Sequence, residues 1–136
     1  MIVVCDTNVI ISALLFPGGS PDKIWRAILS GRFQNATSPD LLTELERILR
    51  MKFKIPSDRV ESLLTLVRQA SLLTYPTRRL RIITLDDADN RVLECALESK
   101  SQFIVTGDKH HLLPLKKFQT IAILSPAAFL EQSGLV

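Results

Sequence analysis

Four carboxylates stand where the 136-residue chain could do chemistry: Asp6, Glu44, Asp89 and Asp108. Asp6 follows the short apolar run Ile2–Cys5, and Asp108 follows Gln102–Thr106 and Gly107. Each sits where a buried strand would leave its sheet, and open α/β sheets bind ligands beyond the carboxyl ends of their strands. Asp89 belongs to Asp86-Asp87-Ala88-Asp89-Asn90, the densest acidic cluster in the chain. An Asp in a helix's first turn stabilises it by roughly 0.3–1 kcal/mol. One or two would meet that need, and three packed together repel unless a cation gathers them. Glu44 lies three residues after Leu41 and four before Ile48, on the apolar side of its helix. A carboxylate there is costly unless something pairs with it or binds it. Asp6 and Asn8 fit a plainer role equally well, as caps of the helix that follows.

If the four converge, an all-oxygen cluster suits Mg²⁺ or Mn²⁺ better than zinc. The chemistry such a centre serves is phosphodiester hydrolysis, in which a metal lowers the pKa of a bound water and offsets the charge of the in-line transition state. A cation also relieves the mutual repulsion that would otherwise keep some of these groups protonated.

The elements that must position them can be read from apolar periodicity. Strands are expected at Ile2–Cys5, Phe33–Ala36, Leu73–Tyr75, Gln102–Thr106 and Ile121–Leu124. Helices are expected over Val9–Leu15 and from Pro21, with Trp25 as a core anchor. Others follow from Ser38-Pro39 (Ser38 as N-cap), from Ser57-Asp58, after Asp89, and over Ala127–Gln132. Arg78–Leu85 reads as an exposed approach to the acidic cluster. Three βα-like units with parallel strands are the simplest assembly, and they bring Asp6 and Asp108 to one sheet edge, with Asp89 and Glu44 able to converge there.

Length and composition predict one domain over residues 1–136 with a Val/Ile/Leu core. The apolar runs are too short to cross a bilayer and the first residues lack a signal-peptide pattern, so no membrane association and a cytoplasmic location are expected. Cys5 and Cys95 lack ligand spacing and read as buried free thiols. The net charge of +3 says little, but three basic runs say more. These are Arg47/Arg50/Lys52/Lys54, Arg78/Arg79/Arg81, and Lys109/His110/His111/Lys116/Lys117. Together they suit a phosphate-rich partner gripped around an acidic centre.

Asp6-Thr7-Asn8-Val9, the helical Glu44, Asp89 within DDADN, and Thr106-Gly107-Asp108 together resemble the motif set of the PIN domain nucleases. The likeness is to the prokaryotic single-domain branch, relatives of the VapC toxins, and runs from Ile2 to about Pro126. It implies a three-layer α/β/α sandwich with a central, mainly parallel sheet. It also implies a metal-dependent endoribonuclease, with Asp6, Glu44, Asp89 and Asp108 as the catalytic, Mg²⁺- or Mn²⁺-binding residues, and Asn8 and Thr106 in support. The cluster could be registered differently, which leaves Asp86 and Asp87 open as members of the site, but Asp89 is preferred because it immediately precedes the helical pattern. The histidines resemble no fixed catalytic position. RNA is the implied substrate, with an antitoxin protein and a homodimer as implied partners. A haloacid-dehalogenase-type phosphatase would need Asp where Asn8 stands, and a response-regulator receiver would need a strand ending in Asp near Arg50–Lys54. The alternative of another class is a PIN-like domain that binds RNA or protein without cutting.

Overall fold

Alternation along the buried strands sets the layers. In the computed structural model, which describes residues 1–83 and 86–134, Val3 and Cys5 of strand β1 (Ile2–Cys5) enter one hydrophobic cluster and Val4 enters another on the opposite face. In β4 (Phe103–Val105), Val105 joins the first cluster and Ile104 the second. A strand covered on both faces cannot afford polar residues on either, which accounts for the unbroken apolar runs.

The first face is covered by α1 (Thr7–Leu15), α2 (Ser20–Leu29), α3 (Pro39–Met51), α4 (Ser57–Gln69) and α6 (Pro126–Ser133), which supply Ile10, Ile24, Leu45, Val60 and Phe129 to its cluster. Trp25 is buried there, as expected of a core anchor, and Phe129 packs edge-on against Phe33 and Phe103. The other face carries α5 (Asp87–Ser99), whose Val92, Leu93, Cys95 and Ala96 meet Ile83, Leu112 and Ile123. The result is the expected three-layer α/β/α arrangement.

The sheet order is β3-β2-β1-β4-β6-β5, with β2 at Gln34–Thr37, β3 at Ser71–Leu73, β5 at Lys117–Phe118 and β6 at Ile121–Leu124. Every pairing is parallel except β5 with β6. Strand order reverses between β1 and β4, so the crevice beyond their carboxyl ends is the topological switch point where such sheets take ligands.

Several expected boundaries move. The third strand is Ser71–Leu73 rather than Leu73–Tyr75: buried Asn35 accepts from the Cys5 amide at 2.9 Å and donates to Ser71 Oγ at 3.0 Å, holding β3 in a register with Asn35 opposite Ser71. Tyr75 falls outside and is exposed. The second strand is shifted one residue forward. Helix α1 begins at Thr7, with Asp6 as its cap, and α5 begins at Asp87, with Asp86 as its cap. Asp89 therefore lies within the first turn of α5 and does not precede it. The Arg78–Leu85 approach is exposed at Arg78, Arg79, Arg81 and Ile82, as expected, but is anchored at Ile83: the Asn90 side chain takes both the N–H (2.8 Å) and the carbonyl (2.6 Å) of that residue. Thr84 and Leu85 of that stretch lie outside the described residues. Strand β5 has no periodicity of its own and was not expected. Both cysteines are free and buried, and no described helix is long and apolar enough to cross a membrane.

Candidate functional site

A cleft of about 380 Å³ opens at the switch point, lined by Asp6, Asn8, Glu44, Asp86, Asp89, Asp108, Lys109 and His110, among others. The four carboxylates singled out in the sequence thus arrive from four places. Asp6 ends β1, Glu44 sits on α3, Asp89 in the first turn of α5, and Asp108 three residues past β4.

Asp6 is held hardest. Its Oδ1 accepts from the Thr7 amide at 2.7 Å, and its Oδ2 accepts from the Thr106 hydroxyl at 2.7 Å and from Asn8 Nδ2 at 3.4 Å. Capping and cleft placement, alternatives in the sequence, are here one geometry: the carboxylate that starts α1 also faces the cleft. Thr106, fully buried, accepts from the Asp108 amide at 3.0 Å while donating to Asp6, so one hydroxyl ties the ends of β1 and β4 together. Asn8 spans the same gap from outside, its Oδ1 accepting from the Gly107 amide at 3.4 Å.

Asp108 organises the segment after it. Oδ1 accepts from the amides of His110 (3.1 Å) and His111 (3.3 Å), and Oδ2 accepts from that of Leu112 (3.1 Å). Burial pushes this carboxyl up, but those N–H groups and the proton shared with Asp89 outweigh it and hold Asp108 below its ordinary range. Asp89 moves the other way, pushed up to about 8 by burial first, then by the hydrogen bond to Asp108 and the charges of Asp108, Asp86 and Asp6. Burial likewise raises Asp6, against the lowering by Thr106 and Thr7. Glu44, half-buried, is raised by desolvation and by the charge of Asp6, with Arg47 offsetting part. Three of the four acids are thus destabilised as anions, the expected condition of carboxylates gathered without a cation.

Two residues the sequence did not assign come to the same place. His111 Nδ1 lies 3.1 Å from Asp89 Oδ2 and 3.7 Å from Asp108 Oδ2. Ligand atoms of Asp86, Asp89 and His111 fall within 4.8 Å of one another. The signal available for His111 was its place three residues after Asp108, since a carboxylate capping the following amides turns such a residue back over the strand end. Asp86 stood in the acidic cluster with its share in the site left open, Asp89 being preferred because it was placed just before the helix. By donor chemistry, carboxylate oxygens with one imidazole within reach, these residues fit a divalent cation.

Of the basic runs, Arg50 is paired with Glu46 and Glu61, and Arg79 with Asp40 and Glu94. Arg47, Lys52, Lys54 and Lys109 are exposed and make no ion pair among the described residues, and Lys109 is on the cleft wall.

A doubly wound sheet with an acidic cleft at its switch point defines a class, and comparison with known proteins identifies it. Residues 2–110 match the PIN domain family. An uncharacterised protein of Methanocaldococcus jannaschii is 38% identical over 112 residues, covering 79% of this chain and 70% of that protein. The chain belongs to the PIN domain family. Its fold is also that of a chain in the crystal structure of VapBC2 from Rickettsia felis bound to a DNA fragment from their promoter. That likeness has a TM-score of 0.67 at 16% identity, covering 92% of this chain and 98% of that one.

Proposed function

We propose that residues 1–136 form one domain that acts as a Mg²⁺- or Mn²⁺-dependent endoribonuclease, with Asp6, Glu44, Asp89 and Asp108 as its catalytic, metal-holding residues. The observation that carries this reading is the convergence of those four side chains, from four separate elements, on the cleft at the switch point. Nothing in folding alone calls for it: three of the four are harder to ionise there than in water.

A divalent ion in such a cleft supplies an activated water and offsets the charge that builds on the phosphate. The chain's residues do the rest. Thr106 and Asn8 fix the Asp6 carboxylate and set its spacing from Asp108. Asp108, already deprotonated and pinned by three amides, is the fixed anion. Asp89 releases its proton when a cation takes its place. Lys109 on the cleft wall, with exposed Arg47, Lys52 and Lys54, holds the RNA backbone by charge, a grip that weakens with salt.

The family and the VapBC2 likeness support a narrower reading in which the protein is the toxin of a toxin–antitoxin pair, forms a homodimer, works in the cytoplasm and is restrained by an antitoxin protein. The test of the activity is cleavage of end-labelled single-stranded RNA by the purified protein with Mn²⁺, with Mg²⁺ and with EDTA, alongside Asp6→Asn. Metal-dependent cutting lost in a folded Asp6→Asn is the expected result. Binding of RNA without cutting under any condition would replace this reading with that of a non-catalytic domain.

A further inference from the structure

Resting on the reading of the cleft as a metal centre, we propose that His111 contributes its Nδ1 as a nitrogen ligand beside Asp86 and Asp89, and that this donor makes the centre prefer Mn²⁺ and other first-row transition ions to Mg²⁺. The spacing is close to that of one coordination sphere. Donors about 2.1 Å from an octahedral ion lie about 3 Å apart when adjacent and about 4.2 Å apart when opposite. The Nδ1···Oδ2 separation of His111 and Asp89 is 3.1 Å, and one ligand atom from each of Asp86, Asp89 and His111 lies within 4.8 Å of the others.

The ring is delivered there by rigid structure. Asp108 caps the amides of His110, His111 and Leu112, and Leu112 is fully buried against Val92 and Leu93 of α5 and their neighbours, so the turn carrying His111 is fixed at both ends. The side chain is 26% exposed, and the ion-pairing atoms nearest its Nδ1 among the described residues are Asp89 Oδ2 and, at 3.7 Å, Asp108 Oδ2. His110, one residue earlier, is exposed.

The consequence for metal choice follows from donor type. Mg²⁺ is a hard ion that keeps its waters and selects oxygen, whereas transition ions accept imidazole, so one nitrogen among carboxylates tilts the site towards them. The plainer role for His111 is to orient Asp89 by a hydrogen bond, which the amide of a glutamine could replace.

The decisive experiment is pulsed EPR of the full chain loaded with one equivalent of MnCl₂, with and without ¹⁵N-labelled histidine. A hyperfine coupling from a directly bound histidine nitrogen is expected in the unmodified protein and in His110→Gln, and absent from His111→Gln. Isothermal titration should show His111→Gln losing about tenfold or more in Mn²⁺ affinity and less than about threefold in Mg²⁺ affinity, the order expected for an altered metal environment. Mn²⁺ bound without a histidine coupling, or His111→Gln weakening both ions alike, would overturn the assignment of His111 while leaving the metal centre intact. No binding of Mn²⁺ to the unmodified protein would sink the metal centre itself. The spectrum of the unmodified protein decides between these even if the variant misfolds.

Discussion

Replacing Asp89 by Asn should make the metal-free protein more stable at pH 8 and abolish its response to Mn²⁺. The cause is the carboxyl pushed up to about 8, from an ordinary value near 3.8, by burial and by Asp108, Asp86 and Asp6. Between those two values the folded protein holds a proton that the unfolded chain has released. Stability from this group is therefore fully present below about pH 4, falls as pH rises, and is lost above about 8. The slope for one such group is at most about 1.4 kcal/mol per pH unit. Asp6 and Glu44 are also raised, so they deepen the decline, whereas the lowered Asp108 acts in the opposite sense only under acid conditions, near and below its ordinary value. Asn at position 89 cannot ionise and keeps an oxygen to face His111, so its curve should be flatter by about 1 kcal/mol per unit between pH 5.5 and 8. Urea unfolding in EDTA at four pH values across that range measures the difference directly. At pH 7.5, saturating Mn²⁺ should raise the Tm of the unmodified protein and leave that of Asp89→Asn nearly unchanged, since only a ligand bound to the folded state stabilises it. Parallel pH profiles for the two proteins, or unmodified stability that rises with pH, would refute the electrostatic account of the cleft.

Thr106→Val keeps the shape of a buried side chain but removes the hydroxyl that joins Asp6 to the Asp108 amide; it should cost about 1–3 kcal/mol in denaturant unfolding and lower RNA cleavage at least tenfold, with Thr106→Ser restoring most of both. Glu94, with its side chain 1% exposed, is ion-paired with Arg91 at 2.7 Å and accepts from the Leu80 amide at 2.7 Å. Glu94→Leu should destabilise by about 1–3 kcal/mol by stranding the Leu80 amide and leaving Arg91 with the exposed Asp87 as its remaining carboxylate partner, a loss visible in the unfolding midpoint, and Glu94→Leu with Arg91→Leu should recover part of it. Cys5 and Cys95 are both pushed up to about 12, chiefly by burial, so neither thiol should react with a disulfide reagent at pH 8 until denaturant is added, and fast labelling of the native protein would contradict that packing.

What could be read from residues alone was whatever depends on short-range pattern. Ile2–Cys5 and Ile121–Leu124 are strands because β-branched runs between turn residues leave little else, and Ser38-Pro39 starts α3 because the cap is local, with the Leu41 amide on Ser38 Oγ at 3.3 Å. Glu44 was legible as an acid on the wrong side of its helix. What failed depended on partners distant in sequence. Strand β3 took its register from Asn35, some 36 positions away, and β5 exists only because the chain folds back on β6. The start of α5 was misplaced because Asp86, Asp87 and Asp89 are all acceptable at a helix start and no periodic apolar residue lies among them to fix which one is the cap. The pairing of His111 with Asp89 could not be read because it spans 22 positions and depends on the Asp108 carboxylate accepting from local amides.

That use of Asp108 also explains how the cleft can be both rigid and ready for a cation. A site whose acids were all free would swing apart through repulsion, and one whose acids were all hydrogen-bonded would offer no vacant lone pairs. Here the duties are divided. Asp6 and Asp108 are fixed by Thr7, Thr106 and the amides after Gly107, and their position does not depend on what enters the cleft. Asp89, pushed up to about 8 by burial and by its acidic neighbours, is placed to exchange a proton for a metal. On this argument, isothermal titration of Mn²⁺ at pH 7 in buffers of different ionisation enthalpy should show close to one proton released per ion bound. Asp89→Asn, which loses its response to Mn²⁺, should show neither binding heat nor proton release, and Mn²⁺ binding by that variant with equal release would place the exchanging proton on Glu44 or Asp6 instead.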